Sequence, residues 1–237
     1  MLNDDVRKEF ERLLSMTTPY DVISGQRIHW KASVWKQELK GSRPKEISSV
    51  LNEIEKYHDA NDGIDRAFTF ANSRSEIPLF ISSMVFGFGM TGYGAHRTAG
   101  IVQKKKSKSG RNGGDSISSV LKDVRETLTE SGGDVSKALQ CFWRSDGSRR
   151  FHNIDVPYLT KILHFMGYNT AVRPRPLIYD AFVHMALSRI PNGPSMPLYP
   201  ESISSSDYFE YCAWAESQSN DPITVEYSLF RTGKLIR

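Results

Sequence analysis

The sequence predicts a mainly α-helical protein. Apolar residues recur every three to four positions in most segments, as they do along the buried face of a helix. No series of segments alternates apolar and polar residues in the way that half-buried strands do. With 237 residues, of which 39% are hydrophobic, the chain is long enough to bury a core as one large or two small domains.

Four helices are predicted in the first ninety residues. The spacing of apolar residues places them at residues 4–15, around residues 29–40, at residues 44–57 and at residues 77–88. Pro44 suits the first turn of the third helix, where a backbone N–H has no helical partner. The polar segment that contains Pro19 and Gly25 is expected to be a loop.

Six further helices are predicted in the rest of the chain. They cover residues 116–130, 135–143, 156–166, 181–190 and 206–217, and the last begins after Asp221. Gly167 is expected to end the helix 156–166 in the left-handed conformation that glycine adopts readily.

Residues 152–190 contain the chemistry that the sequence makes most visible. The helix 156–166 is apolar except for Thr160, Lys161 and His164, which share one face because they are one and four positions apart. One interpretation is a solvated strip from which Lys161 extends into water. The other is an amine in a poorly hydrated cleft, where desolvation disfavours the ammonium form and leaves a nucleophile.

Asp180 stands directly before the apolar helix 181–190 and is expected to be its N-cap. Most aspartates at such positions only cap the helix. The positive end of the helix also keeps the carboxylate ionised, and an anion fixed there can stabilise a cationic transition state.

The stretch YLTKILHFMGY followed by RPLIYDAFVHMAL resembles the catalytic core of the helix-hairpin-helix DNA glycosylases of the 8-oxoguanine glycosylase type, in particular a compact bacterial branch. A Thr-Lys pair lies on an apolar helix, and Asp180 follows Lys161 by 19 positions. The resemblance implies a single glycosylase unit over residues 1–237, with two helical lobes and a catalytic core at 152–190. It also implies that the enzyme excises a base flipped out of double-stranded DNA.

The same resemblance implies roles for two residues. Lys161 would attack the sugar C1′ carbon, expel the base and hold the sugar as a Schiff base, whose elimination would nick the strand. Asp180 would accept the amine proton or stabilise the cationic sugar. The family's hairpin before the lysine usually carries glycines, but residues 155–161 contain none. The helix-hairpin-helix is therefore degenerate, and basic side chains would have to bind the phosphate.

Further site residues follow from the resemblance and from their positions. The wall of the base pocket is assigned to Phe165, His164, Phe86, Tyr93, Tyr208, Tyr211 and Cys212. Contacts to DNA phosphates are assigned to Arg149, Arg150, Lys104, Lys105, Lys106, Arg173 and Arg175.

The amino-acid composition restricts which partners and cofactors the protein is expected to bind. A net charge of +4 permits binding to nucleic acid without requiring it. Two cysteines are too few for a disulfide framework, no residue cluster has metal-ligand spacing, and we expect neither metal nor cofactor. No signal peptide or membrane span is apparent. We therefore expect a cytoplasmic monomer that associates with the nucleoid while acting.

The sequence leaves the substrate and the class of function open. The family resemblance suggests 8-oxoguanine, whereas related small bacterial glycosylases remove hypermodified phage bases such as glucosylated 5-hydroxymethylcytosine. A second hypothesis is a helical DNA-binding or partner-binding module without catalysis. A third, a dinucleotide enzyme using the GxGxxG pattern at residues 87–92, lacks the required strand–helix series.

Overall fold

The computed structural model describes residues 3–42, 45–103, 116–130, 133–151 and 154–237. Within these ranges the protein is mainly helical, as predicted, and pairing between extended segments is limited to two isolated bridges. Seven helices precede residue 104: α1 (Asn3–Met16), α2 (Pro19–Gly25), α3 (Ala32–Glu38), α4 (Glu46–Asn61), α5 (Arg66–Ala71), α6 (Glu76–Phe88) and α7 (Gly92–Val102). Six follow residue 115: α8 (Ile117–Thr129), α9 (Val135–Gln140), α10 (Val156–Gly167), α11 (Ala181–Leu187), α12 (Ser205–Gln218) and α13 (Pro222–Leu235).

Helix α10 lies at the centre of the packing and contacts α5, α6, α8 and α9. Helix α11 packs mainly on α13, and α13 also contacts α1, α2 and α12. One continuous cluster of buried hydrophobic side chains joins these elements. None of the described helices combines the length and apolar character that crossing a bilayer requires. The division into two lobes stays a prediction.

Two helices occupy segments whose glycines and prolines favoured loops. Helix α2 begins after Thr18, which forms a capping box with Asp21. Helix α7 begins in the glycine-rich segment after Thr91, and a side chain at Gly94 would place its Cβ 2.2 Å from Phe88. Glycine there lets the first turn of α7 pack closely against Phe88 at the end of α6. The prediction of a loop around Pro19 and Gly25 was wrong, because capping outweighed the low helix propensity of glycine.

The predicted conformation of Gly167 was also wrong. It is the last residue of α10 rather than a left-handed residue beyond the helix end. A Cβ at this position would lie 2.8 Å from Pro176 Cγ. Gly167 therefore lets the segment that follows α10 return closely over the end of the helix.

That returning segment, residues 176–179, belongs to neither a helix nor a strand, so its backbone groups have no regular partners. Side chains of α10 bind its two ends: His164 Nδ1 donates to Pro176 O (2.9 Å), and Tyr179 N–H donates to Thr160 Oγ1 (3.1 Å). Side chains of α12 bind the middle: Tyr208 donates to Leu177 O (2.6 Å), and Tyr211 donates to Ile178 O (3.0 Å). We call these four side chains the clamp. It fixes the chain immediately before Asp180.

A buried ion pair supports the clamp from α5 and α13. Arg66 and Glu226 form two parallel hydrogen bonds of 2.7 and 2.9 Å, and each side chain is only 1% exposed. Arg66 Nη1 also donates to His164 Nε2 (3.0 Å). Since Pro176 O can only accept, His164 carries its proton on Nδ1 and is neutral. Burial and the neighbouring guanidinium lower the pKa of His164 well below its usual value.

We predict that Glu226→Gln destabilises the protein by about 3 kcal/mol, because it leaves the buried Arg66 guanidinium without a counter-charge. Urea denaturation measures the effect. The matched control is Glu11→Gln, which breaks the exposed Arg7–Glu11 pair and is expected to cost less than about 1 kcal/mol. Equal costs for the two variants would contradict this account of the buried pair.

We predict that Thr160→Val costs about 1–3 kcal/mol of stability, because valine keeps the shape but leaves the buried Tyr179 N–H unpaired. Thr129→Val serves as the control, since Thr129 is exposed and its hydroxyl binds only its own helix. Thermal unfolding of the two variants tests the prediction. A Thr160 variant as stable as the control would show that the clamp contributes little to the fold.

Candidate functional site

Lys161 lies in the middle of α10 with its side chain only 9% exposed. Its Nζ donates to Pro157 O (3.3 Å) and lies 5.4 Å from the centre of the Tyr158 ring. Burial lowers the pKa of Lys161 from its usual 10.5, while the Asp180 carboxylate opposes that shift. The interpretation of Thr160, Lys161 and His164 as a solvated strip was wrong, because all three are buried.

Asp180 is the N-cap of α11, as predicted. Its Oδ1 accepts hydrogen bonds from Phe182 N (3.0 Å) and Val183 N (3.1 Å). Its Oδ2 lies 3.8 Å from Lys161 Nζ. One oxygen therefore anchors the carboxylate to the helix while the other faces the amine, and the structure brings together two residues that are distant in sequence.

An open pocket of about 450 Å³ borders this pair, within the size range of small-molecule sites. Helices α6, α10 and α11 and the connection before α12 enclose it. Its lining residues are Gly87, Asp155, Pro157, Tyr158, Lys161, Asp180, Ala181, Phe182, Pro200 and Glu201.

Gly87 determines how closely α6 approaches the site. A Cβ at Gly87 would lie 2.9 Å from the Tyr158 ring and 3.1 Å from Lys161 Cδ. The next residue, Phe88, stacks on Tyr158 with ring centres 3.9 Å apart and planes inclined by 16°. The missing side chain of Gly87 therefore leaves room at the site, whereas that of Gly94 allows close helix packing.

Two guanidinium groups share one carboxylate at the start of α10. Asp155 Oδ2 accepts from Arg97 Nη1 (2.9 Å), and Asp155 Oδ1 accepts from Arg149 Nη1 (3.2 Å). Asp155 makes no side-chain cap to α10. Residues 156–161, where the family has its glycine-containing hairpin, already belong to the helix, so positive charge beside the pocket comes from these arginines.

Most residues that we assigned to the base-pocket wall lie elsewhere. Six of them are at most 4% exposed and pack in the core, and none of these is among the residues that line the pocket: Phe86, His164, Phe165, Tyr208, Tyr211 and Cys212. The seventh, Tyr93, is 60% exposed and stacks against the Arg97 guanidinium (4.3 Å). These assignments require correction, because the resemblance and sequence position do not distinguish a side chain that contacts protein neighbours from one that contacts a ligand.

The residues assigned to DNA binding fall into separate groups. Arg149 is beside the pocket through Asp155, whereas Arg150 binds Asp123 (2.6 Å) and Cys141 O (3.1 Å). Arg173 and Arg175 border a different pocket, near Asp221. Lys104, Lys105 and Lys106 lie outside the described residues.

The sequence reasoning missed Tyr158, Asp155, Glu201 and Arg97. Tyr158 and Asp155 stand where the family has its hairpin, so their departure from the family pattern was the available signal. No sequence pattern pointed to Glu201 or Arg97, because both lie outside residues 152–190 and only the tertiary structure brings them to the site. Among the described residues, no group of three or more histidines, cysteines and acidic residues is arranged to hold a metal ion.

A family model described as "Putative 8-oxoguanine DNA glycosylase OGG-like protein" matches residues 21–230 of the chain. The matched range contains α10, Asp180 and every residue that lines the pocket. No curated protein and no solved structure matches the chain. The resemblance noted in the central stretch is confirmed over most of the sequence. The chain therefore belongs to the OGG-like family of 8-oxoguanine DNA glycosylase proteins.

Proposed function

We propose that this protein is a DNA glycosylase that flips a modified base out of double-stranded DNA and removes it through nucleophilic attack by Lys161. One observation carries the proposal: a buried amine lies 3.8 Å from a helix-capping carboxylate at an open pocket. A base inside a duplex cannot present its glycosidic carbon to a protein side chain, so the nucleotide must leave the stack.

The reaction follows from the charges of the pair. The neutral Nζ of Lys161 attacks C1′ while the bond between C1′ and the base nitrogen breaks, and the base leaves with that electron pair and takes up a proton. Positive charge that develops on the sugar is stabilised by Asp180. Loss of a proton from nitrogen and opening of the sugar ring give a Schiff base. Elimination of the 3′ phosphate from this intermediate would nick the strand.

Two modified bases are the candidate substrates. The family description favours 8-oxoguanine. A pocket of about 450 Å³ that opens to the surface also suits a larger base such as glucosylated 5-hydroxymethylcytosine, which would place the protein in defence against phage. Release of base from DNA carrying each modification distinguishes the two substrates.

A non-catalytic DNA-binding module is the second candidate. The absence of glycines from residues 155–161 favours it, because the family binds phosphate through a hairpin that this chain replaces with the first turn of α10. In that case Asp180 would serve only as a helix cap.

Borohydride trapping separates the two candidates. We predict that wild-type protein forms a covalent adduct with DNA containing its substrate base, and that Lys161→Gln forms none and loses base release by at least about 100-fold. Lys137→Gln, an exposed lysine on α9, is the matched control. If Lys161→Gln released base at the wild-type rate, the proposed mechanism would be excluded.

We predict that the rate of adduct formation rises with pH and levels off below pH 10.5, because only the neutral amine attacks and burial lowers the pKa of Lys161. The Asp180 carboxylate raises that pKa, so Asp180→Asn is expected to shift the midpoint to lower pH. The same variant should lower the maximal rate by roughly 10²-fold or more, since the cationic transition state loses its counter-charge.

Asn is a good N-cap, so Asp180→Asn should retain α11. A pH–rate profile for each protein measures both effects. An unchanged midpoint, or a midpoint shifted to higher pH, would contradict the proposed electrostatic coupling between the two side chains.

A further inference from the structure

The interior side of α10 next to Lys161 is filled by protein side chains. Phe165 packs edge-to-face on Phe70 and on Phe86, with ring centres 5.1 Å apart in both cases. His164 is bound between Arg66 and Pro176. A base that reaches Lys161 would therefore lie on the other side, in the open pocket.

We propose that this pocket is a base-binding subsite in which the everted base stacks on the Tyr158 ring while Glu201 accepts hydrogen bonds from its N–H edge. The inference rests on the proposed glycosylase function. It assigns the recognition of the base to residues different from those that the sequence indicated.

The Tyr158 ring has the geometry of a stacking surface. Phe88 stacks in parallel on one face of the ring. The absence of a side chain at Gly87 lets α6 approach the ring closely. The Tyr158 side chain also lines the pocket, and Lys161 Nζ lies over its ring, 5.4 Å from the ring centre. Burial raises the pKa of Tyr158 to about 12, so the ring carries no charge near neutral pH. A base stacked here would lie next to the nucleophile.

Of the three carboxylates among the described residues that line the pocket, that of Glu201 has only a charge interaction with His184. Asp180 caps α11 and faces Lys161, and Asp155 binds Arg97 and Arg149. Within the described chain, Glu201 makes neither a hydrogen bond nor an ion pair, and its side chain lies in the connection before α12. A carboxylate only accepts hydrogen bonds, so it selects a base edge with N–H donors. Guanine-type bases offer N1–H and an amino group, and cytosine-type bases offer an amino group.

The test compares binding to two duplexes in the inactive Lys161→Gln background. One duplex carries 8-oxoguanine or glucosylated 5-hydroxymethylcytosine, and the other carries a tetrahydrofuran abasic site at the same position. Tyr158→Ala should weaken binding to the base-containing duplex roughly 5- to 100-fold and leave binding to the abasic duplex unchanged. Tyr158→Phe should bind both duplexes as the parent does, because stacking does not need the hydroxyl.

Matched controls separate recognition from folding and charge. Tyr20→Ala removes an exposed tyrosine from α2, outside the pocket, and should change neither affinity. Glu201→Gln should weaken binding only to the base-containing duplex, by about 10-fold, whereas Glu210→Gln on α12 should have no effect. The two modified duplexes identify which base supplies the donor edge.

Two results would overturn the subsite. If Tyr158→Ala weakened binding to both duplexes equally, Tyr158 would act through the fold or through contacts with the DNA backbone. If it weakened binding to neither duplex, Tyr158 would have no role in recognising the base. Failure of the proposed function itself looks different: wild-type protein would then release neither base and leave no borohydride-trapped adduct.

Discussion

The clamp on residues 176–179 is the constraint on which the site depends. A segment that belongs to neither a helix nor a strand has no regular partners for its backbone groups, and each unpaired backbone group in the interior would cost free energy. Thr160 and His164 from α10 and Tyr208 and Tyr211 from α12 bind four consecutive residues of that segment. Because Asp180 follows directly, the same bonds that satisfy the backbone determine where its carboxylate lies relative to Lys161.

The charges around Lys161 balance two opposing effects. Burial favours the neutral amine, and the facing oxygen of Asp180 favours the ammonium form. Arg66 and Glu226 neutralise each other beneath the site, so neither presents an uncompensated charge to the amine. The amine therefore loses its proton more readily than its usual pKa would allow, and a fixed anion lies beside it, as the proposed reaction requires. Because the clamp fixes the chain immediately before Asp180, the position of the carboxylate does not depend on a mobile loop.

The sequence predicted the local features of the site and missed the tertiary ones. Helix α10, the cap at Asp180 and the pairing of that residue with Lys161 followed from apolar spacing, capping chemistry and the family resemblance. Tyr208 and Tyr211 were assigned to the base pocket from the family resemblance, whereas their hydroxyls bind the backbone of residues 177 and 178. Gly167 was interpreted by its conformational freedom, whereas its missing side chain matters for close packing against Pro176.

The proposed chemistry depends on a fold that holds the Lys161 amine, with a lowered pKa, against the fixed carboxylate of Asp180. An NMR titration of the lysine side-chain amines tests it most directly, with the Lys161 signal identified by its absence from Lys161→Gln. We predict that Lys161 titrates clearly below 10.5 and that Asp180→Asn moves its pKa further down. A Lys161 amine that titrates at 10.5 or above, and is unaffected by Asp180→Asn, would contradict this prediction.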